Sequence, residues 1–371
     1  MKILREVSNL KVGELVIASS KDEKLSETYG GGAIQTILKK ILENNFVEKV
    51  VLFQEKKDRY SLVPVVIEHP DQINSIPLSQ FSAYYLSGLN SVPKYIQQNL
   101  KNAGKIGVVA KPCDVRAMVK LAKRKQINLD NLIILGEECH GKVSPKKAQK
   151  ILEEEKVDAS KITSEMIEGN KYNITVEGKN KSYILGKKLD LEESCKRCGE
   201  RNPTISDISF QVIKDGDKTK TLIYINSEKG LKAIKLSSAE LNLEEAKREI
   251  LDRVDRNMVL SILRAERYKL KQFKNFDKNS EIERYNHFKK LIENCRKCGN
   301  CIRACPICVC IDCTVIKQRK EVEPTLYFLL RMGHMGKECI NCGNCDSGCN
   351  FLDPGPSLLF HRLSELSKNT N

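Results

Sequence analysis

Apolar and polar positions follow two different patterns along the first part of the chain. Short continuous apolar runs are typical of buried strands, and they occur at Val50–Phe53, Leu62–Ile67, Lys105–Ala110 and Asn131–Gly136. Stretches with apolar residues at helical spacing lie between them, at Ala33–Glu43, Val92–Ala103 and Arg116–Lys125. This alternation predicts an α/β arrangement in which helices cover both faces of a parallel or mixed sheet. Ligands of such folds gather in the loops where strands end.

The later parts of the chain change character. Residues 144–250 mix charged helices with short strands at Tyr172–Val176, Ser182–Leu185 and Thr221–Ile225. Asp252–Ile292 has 11 Lys or Arg against 6 Asp or Glu and no Pro or Gly, which indicates either a helical linker or a solvated surface helix of the core domain. The run that begins at Pro324 predicts a helix, and Leu358–Ser367 predicts a closing one.

Composition narrows the class of protein. The 371 residues suggest two or three domains, and the net charge is +15. The N-terminus has no apolar signal-peptide core, and no run approaches the 18 apolar residues that a membrane-spanning helix needs. The odd number of cysteines, 15, and their tight spacing favour metal ligation over disulfides. We therefore expect a cytoplasmic protein in a reduced compartment.

Two cysteine motifs dominate the C-terminal part. Cys295-x2-Cys298-x2-Cys301-x3-Cys305 is followed by Pro306, and Cys339-x2-Cys342-x2-Cys345-x3-Cys349 repeats the spacing. In two-cluster ferredoxins the fourth cysteine of each motif binds the other cluster. The spacing thus predicts two 4Fe–4S clusters, one on Cys295, Cys298, Cys301 and Cys349, the other on Cys339, Cys342, Cys345 and Cys305. Two zinc sites are the alternative, although zinc sites usually pair two C-x2-C units.

Seven cysteines lie outside these two sets. Cys113 and Cys139 follow predicted strands, in loops at the expected ligand edge, and Cys195-x2-Cys198 comes later. These four thiols are enough for a third cluster, or else two are core residues and the pair is a zinc knuckle. Three further cysteines follow Pro306, either as free buried thiols or as part of a metal or redox site: Cys308, Cys310 and Cys313.

The order of several short motifs resembles one family. The motifs begin with Gly30-Gly-Gly-Ala33 and Ser87-Gly-Leu-Asn-Ser91, and continue with Lys111-Pro-Cys-Asp-Val-Arg-Ala117, Cys139-His-Gly141, and Cys195-x2-Cys198 before Ser206-Asp-Ile-Ser209. In this order they resemble the beta subunits of coenzyme F420 (deazaflavin) hydrogenases and dehydrogenases. The fused ferredoxin motifs and Leu330–Met335 make the chain most similar to formate dehydrogenase beta subunits of that family. The spacing between the motifs is closer to the helical ferredoxins of quinone-linked and heterodisulfide reductases than to compact ferredoxins.

The resemblance implies a fold, cofactors and site residues. It implies an α/β (α+β) flavin and iron–sulfur core, divided into residues 1–97 and 98–251, then the charged linker at 252–292 and a mainly helical two-cluster ferredoxin domain at 293–371. The implied cofactors are FAD, coenzyme F420 as hydride partner, and a 4Fe–4S cluster on Cys113, Cys139, Cys195 and Cys198, which makes three clusters in all. His140 is the candidate catalytic residue. The candidate flavin-binding residues are Gly30, Gly31, Gly32, Thr36, Gly88, Asn90, Ser91, Lys111 and Pro112.

These features together predict a redox relay. A flavin converts hydride transfer into single-electron steps, which iron–sulfur clusters then carry. The expected partner is a catalytic subunit of the formate dehydrogenase, hydrogenase or heterodisulfide reductase type, in a hetero-oligomer. The alternatives are a non-catalytic electron-transfer adaptor and a flavin reductase that uses NAD(P)H or ferredoxin. Nucleic acid is not an expected partner, because Lys and Glu are interleaved and no binding motif is present.

Overall fold

The computed structural model describes residues 10–55, 62–76, 91–187, 189–215, 218–277, 280–353 and 355–368. The strands are β1 (Leu15–Ser20), β2 (Lys49–Glu55), β3 (Leu62–Ile67), β4 (Ile106–Ala110), β5 (Leu132–Glu137), β6 (Ile162–Glu168), β7 (Lys171–Val176), β8 (Lys179–Ile184), β9 (Ile208–Asp215), β10 (Lys218–Ile225) and β11 (Leu241–Glu245). The helices up to the charged stretch are α1 (Glu23–Ser26), α2 (Ala33–Glu43), α3 (Val92–Asn99), α4 (Pro112–Lys123), α5 (Pro145–Glu154), α6 (Glu193–Lys196) and α7 (Glu228–Ser237). Those that follow are α8 (Arg248–Asp277), α9 (Glu281–Ile292), α10 (Asn300–Arg303), α11 (Thr314–Lys317), α12 (Pro324–Met335), α13 (Asn344–Ser347) and α14 (Ser357–Lys368).

A mixed sheet of eight strands forms the core, in the order β11-β1-β10-β9-β5-β4-β2-β3. The central neighbours β2, β4, β5 and β9 run parallel, whereas the outer pairs are antiparallel. β4 and β5 are buried along their whole length, as their continuous apolar sequences require in a sheet covered on both faces. The predicted mixed α/β architecture is therefore confirmed.

A smaller antiparallel sheet, β6-β7-β8, packs with α5 around its own apolar cluster. This sheet has alternating burial in β6, the pattern of a sheet with one covered face. In the C-terminal part, the predicted helices are observed as α12 and α14, and the rings of Phe328 and Phe360 stack at 5.5 Å between them. Within the described residues no helix is long and apolar enough to cross a membrane.

The charged stretch folds as α8 and α9, with residues 278 and 279 outside the described residues. α8 contacts both α6, which precedes strand β9 of the large sheet, and α14 of the C-terminal part. Tyr268 Oη donates to Glu193 Oε2 at 2.6 Å, and the ring of Phe273 meets His361 edge-on at 5.3 Å. The division of the chain into domains at residues 97, 251 and 292 stays a prediction.

One helix begins earlier than the sequence pattern predicts. α4 starts at Pro112 and not at Arg116. Proline is favoured at the first helical position because its φ angle already has a helical value, and the backbone N–H that it lacks would have no partner there. Cys113 consequently lies in the first turn of a helix and not in a loop, which corrects the sequence-based placement. α3 also ends sooner than predicted, at Asn99.

The three glycines before α2 have left-handed backbones, with φ of 70°, 66° and 67°. A Cβ on Gly31 would come 2.8 Å from the Thr219 carbonyl oxygen, and one on Gly32 would overlap the carbonyl group of Leu25. Close packing of this turn against the sheet and α1 is therefore enough to require glycine here.

We predict that Gly32→Ala lowers the free energy of unfolding by about 3 kcal/mol, from left-handed strain plus overpacking. Gly169→Ala is the matched control, because Gly169 has a similar φ of 60° but open space around its Cβ position. Its cost should be only about 1–2 kcal/mol, the strain alone. Urea unfolding under anaerobic conditions measures both, and equal losses would contradict the packing argument.

Candidate metal centres and the adjoining cleft

Four cysteines from three segments line one cavity at the carboxyl edge of the parallel strands. Cys113 lies in the first turn of α4, just after β4, and Cys139 follows β5. Cys195 lies in α6 and Cys198 directly after it. The structure thus brings together the four thiols that the sequence analysis considered for a third cluster.

The donor set of this cavity, four thiols with a backbone amide directed at one sulfur, fits an iron–sulfur cluster. Burial raises the pKa of the Cys113 thiol to about 12 and that of Cys195 to about 11. Such thiols keep their protons at neutral pH until a metal displaces them. The Gly141 amide donates to Cys139 Sγ at 3.3 Å, the kind of hydrogen bond that stabilises a ligating sulfur.

A second cavity contains one complete predicted ligand set of the C-terminal part. Cys295, Cys298, Cys301 and Cys349 all line it, although Cys349 belongs to the second sequence motif. The structure therefore brings the fourth cysteine of one motif to the first three of the other. Ligation by this set stays a prediction.

The two motifs have the same local backbone. Lys297 and Asn341 occupy equivalent positions and have φ of 50° and 58°, and Gly299 and Gly343 have φ of 77° and 74°. A one-turn helix follows each glycine. In the first motif this turn brings the three closely spaced cysteines, Cys295, Cys298 and Cys301, to one cavity.

The remaining predicted set lies between the other two. The thiol of Cys342 lines the first cavity and interacts electrostatically with Cys113, while Cys345 interacts with Cys301. Cys305 interacts with Cys342 across the motifs. The three sets therefore form a row, with Cys305, Cys339, Cys342 and Cys345 in the middle. No group of three or more His, Cys, Asp or Glu among the described residues is arranged to hold a single metal ion.

Basic side chains along α4 and at its C-terminal cap attach the C-terminal part to the sheet: Arg116, Lys120 and Arg124. The Arg116 guanidinium donates to the Ile340 carbonyl at 3.1 Å and forms an ion pair with Glu200 at 2.8 Å. Lys120 Nζ donates to the carbonyl of Lys337 at 3.3 Å, and Arg124 Nη1 donates to that of Ile307 at 3.2 Å. These roles were not predicted from the sequence, although the spacing of four residues between the basic side chains was the available signal.

A polar cleft adjoins the first cavity. Its outer part, about 480 Å³, lies between Ser26–Tyr29 and the small sheet and is lined by Lys181, Lys214 and Lys218. Its inner part is lined by Tyr29, Glu138 and His140 and by the N-terminal half of α8. The outer volume falls in the range of small-molecule sites, about 300–1,000 Å³.

His140 is the predicted site residue that the structure places in this cleft. Burial lowers the pKa of its imidazole to about 4, helped by the positive charges of Arg201 and Lys111. Burial also raises the pKa of Glu138, 3.9 Å from His140 Nε2, to about 8. The imidazole is thus neutral at physiological pH.

None of the predicted flavin-binding residues in the described part of the chain lines the cleft itself, and Pro112 lines the first cavity instead. Thr36 Oγ1 donates to the Gly32 carbonyl at 3.0 Å, and Gly30–Gly32 follow the cleft residue Tyr29. Lys111 forms a buried ion pair with Glu137 at 2.9 Å, beside Pro112. Ser91 is buried before α3, whereas Gly88 and Asn90 lie outside the described residues. Their roles in binding stay predictions.

The three cysteines after Pro306 have different surroundings. Cys308 Sγ accepts a hydrogen bond from Arg331 Nη1 at 3.2 Å and lies 3.8 Å from Met335 Sδ. Cys310 is exposed, and Cys313 is half-buried before α11.

We predict that Arg116→Met destabilises the holoprotein more than Arg124→Met. Arg116 is 19% exposed and donates twice to the Ile340 carbonyl, whereas Arg124 is 36% exposed and donates once to the Ile307 carbonyl, and each forms one ion pair. Charged hydrogen bonds contribute about 1.5–3 kcal/mol each and exposed ion pairs about 0–1 kcal/mol. Thermal unfolding of the cluster-loaded chain, followed by loss of the cluster absorption, measures the difference. An equal or smaller shift for Arg116→Met would contradict the proposed attachment.

Comparison with known proteins agrees with this architecture. Residues 15–93 match the family model for the N terminus of the coenzyme F420 hydrogenase/dehydrogenase beta subunit, and residues 103–249 match the model for its C terminus, so that the matches span more than half of the chain. The chain is 29% identical over 359 residues to the F420-dependent formate dehydrogenase subunit beta of Methanocaldococcus jannaschii, covering 92% of this chain and 90% of the relative.

A second relative and a solved structure are also similar. The F420-dependent formate dehydrogenase 1 subunit beta of Methanococcus maripaludis is 29% identical, with 91% of this chain and 88% of the relative covered. A chain of the F420-reducing [NiFe] hydrogenase complex from Methanosarcina barkeri has the same fold, with a TM-score of 0.60, 18% identity, and coverage of 71% of this chain and 93% of that chain. The family predicted from the motifs is confirmed: this chain belongs to the coenzyme F420 hydrogenase/dehydrogenase beta-subunit family.

Proposed function

We propose that this chain is the flavin- and iron–sulfur-containing subunit of an F420-dependent oxidoreductase, exchanging a hydride with coenzyme F420 and single electrons with a catalytic partner subunit. One observation carries the proposal. Cys139 lines the first cysteine cavity and His140 lines the cleft, so a single peptide bond joins the two. A cofactor in the cleft would therefore lie next to the first cluster.

The cleft is suited to FAD. Bound FAD supplies the conversion between two-electron hydride chemistry and one-electron transfer. The Lys181, Lys214 and Lys218 side chains would attract the anionic pyrophosphate. The buried pair of Lys111 and Glu137 would close the inner end and hold the carboxyl edge of β4 and β5 rigid.

The twelve cysteines of the three sets would hold three 4Fe–4S clusters. The set nearest the cleft uses Cys113, Cys139, Cys195 and Cys198, the middle set Cys305, Cys339, Cys342 and Cys345, and the outer set Cys295, Cys298, Cys301 and Cys349. Their order in space supports electron transfer along the row. The names of the two relatives favour a formate dehydrogenase catalytic subunit as partner, in a hetero-oligomer.

Anaerobic titration of the reconstituted chain with reduced F420, NADPH and NADH tests the proposal. We expect reduced F420 to bleach flavin and cluster absorption within seconds and nicotinamides to have no such effect. If no hydride donor reduces the protein and no flavin is released on denaturation, the chain is an electron-transfer adaptor and the proposal is wrong. Reduction by nicotinamides instead of F420 would identify a flavin reductase.

Cys195→Ser should remove the first cluster only. We expect a loss of about four iron atoms per chain, with flavin reduction by F420 retained and reduction of the other two clusters slowed. Cys310→Ser is the matched control, because Cys310 is exposed and belongs to none of the three sets. An unchanged iron content in Cys195→Ser would contradict the first ligand set.

His140 is proposed to act as a neutral hydrogen-bond donor toward the cofactor. We expect His140→Ala to slow F420-driven flavin reduction about 10-fold and His140→Gln to retain most of the rate, as the amide keeps a donor. With a pKa of about 4, the imidazole should cause no change in rate between pH 6 and 8. A rate that titrates near the ordinary histidine pKa of about 6.5 would show that burial does not keep His140 neutral.

A further inference from the structure

A basic surface surrounds one ligand of the outer set. Cys298 lies in an open depression of about 600 Å³ whose other lining residues are all Arg or Lys: Arg296, Lys297, Arg303, Arg319 and Lys320. We call these five residues with Cys298 the Cys298 patch. No carboxylate lines it, although Glu293 and Glu321 lie nearby in the sequence.

The positive charge of the patch is not neutralised within the described residues. None of the five basic side chains forms an ion pair there. Three of them donate to backbone oxygens instead. Arg303 Nη2 and Arg319 Nη1 both donate to the Cys298 carbonyl, at 2.9 and 3.3 Å, and Lys297 Nζ donates to the Val322 carbonyl at 2.6 Å. These three charges are thus held around Cys298, and Arg296 and Lys320 are exposed beside them.

The patch also lies at the end of the row of cysteine sets. Cys342 of the middle set lines the first cavity, and Cys345 of the middle set interacts electrostatically with Cys301 of the outer set. Cys298 belongs to the outer set, and the row has no further cysteine set beyond it among the described residues. The adjoining protein surface is where an electron would leave or enter.

We propose that the Cys298 patch is the docking surface for an acidic face of a redox protein that exchanges single electrons with the outer set. The proposal rests on the proposed function only in requiring a cluster on Cys295, Cys298, Cys301 and Cys349. In each exchange one electron passes between the partner's redox centre and that cluster, and no bond forms or breaks. Fixed arginines next to the electron-carrying site provide both steering and orientation.

A protein partner fits the patch better than nucleic acid. Single-stranded nucleic acids bind where aromatic side chains stack on the bases, and the patch is lined by no aromatic residue. An acidic protein surface needs only opposite charge at the rim of the contact in order to dock, and a short distance between the redox centres in order to exchange electrons.

Stopped-flow reduction of the full, cluster-loaded chain tests the surface without using F420. Two one-electron donors are compared: a reduced acidic plant-type [2Fe–2S] ferredoxin, and the reduced methyl viologen cation. The variant is Arg296→Gln with Lys320→Gln, which leaves the arginines bound to Cys298 in place. The matched control is Arg248→Gln with Lys150→Gln, two side chains that are 93% and 77% exposed on other helices.

We expect the second-order rate with ferredoxin to fall about 10-fold in the patch variant and to fall steeply with salt in the unmodified chain. The control should keep the ferredoxin rate, and viologen should reduce all three proteins equally fast or the patch variant faster. A ferredoxin rate that does not respond to the patch variant or to salt would overturn the proposal. So would displacement of ferredoxin by a single-stranded RNA oligonucleotide at lower concentration, which would identify a nucleic-acid surface.

Two readouts separate this proposal from the proposed function. Iron content and absorption establish that each variant carries its clusters. If a variant does not incorporate them, the salt dependence of the ferredoxin rate in the unmodified chain tests the docking surface. The ferredoxin assay follows one-electron reduction of the outer set and does not require F420 or the flavin. Failure of F420 to reduce the chain therefore leaves this test intact.

Discussion

The attachment of the C-terminal part to one face of α4 is the contact on which the row of cysteine sets depends. Arg116, Lys120 and Arg124 are four residues apart, so they point to the same side of the helix and reach carbonyl groups of the C-terminal loops. Cys113 lies one turn before Arg116 on the same helix. The helix that supplies a ligand to the first cavity therefore also fixes the position of the middle set, and small rotations of α4 would move both together.

Much of the fold follows from local sequence pattern, whereas the site depends on contacts between distant segments. The bounds of α2 and β3 are those that periodicity predicts, because an amphipathic helix and a fully apolar strand each carry their own signal. The start of α4 was misplaced, since the apolar spacing begins only after Pro112. The cleft itself could not be predicted, because it forms where Ser26–Tyr29 faces β6–β8, far apart in sequence.

The cysteine spacing predicted more than any other feature. The crossing of Cys349 to the first motif appears in the structure as a shared cavity, and the four cysteines considered for a third cluster lie around another. The glycines at 30–32 show the opposite case. The family resemblance makes them candidate flavin-binding residues, yet packing against β10 and α1 already requires glycine there. The sequence alone does not separate a binding role from this packing requirement.

The exchange of fourth ligands between the motifs has a consequence for assembly. In the proposed arrangement, each of the two C-terminal clusters binds cysteines from both motifs. Each cluster therefore closes the loop of chain between Cys305 and Cys339, so that this loop is closed twice. Closing a loop lowers the conformational entropy of the unfolded chain, and the second closure across already joined segments costs less than the first. Iron–sulfur loading of the C-terminal part should thus be cooperative, with the half-loaded protein scarcely populated.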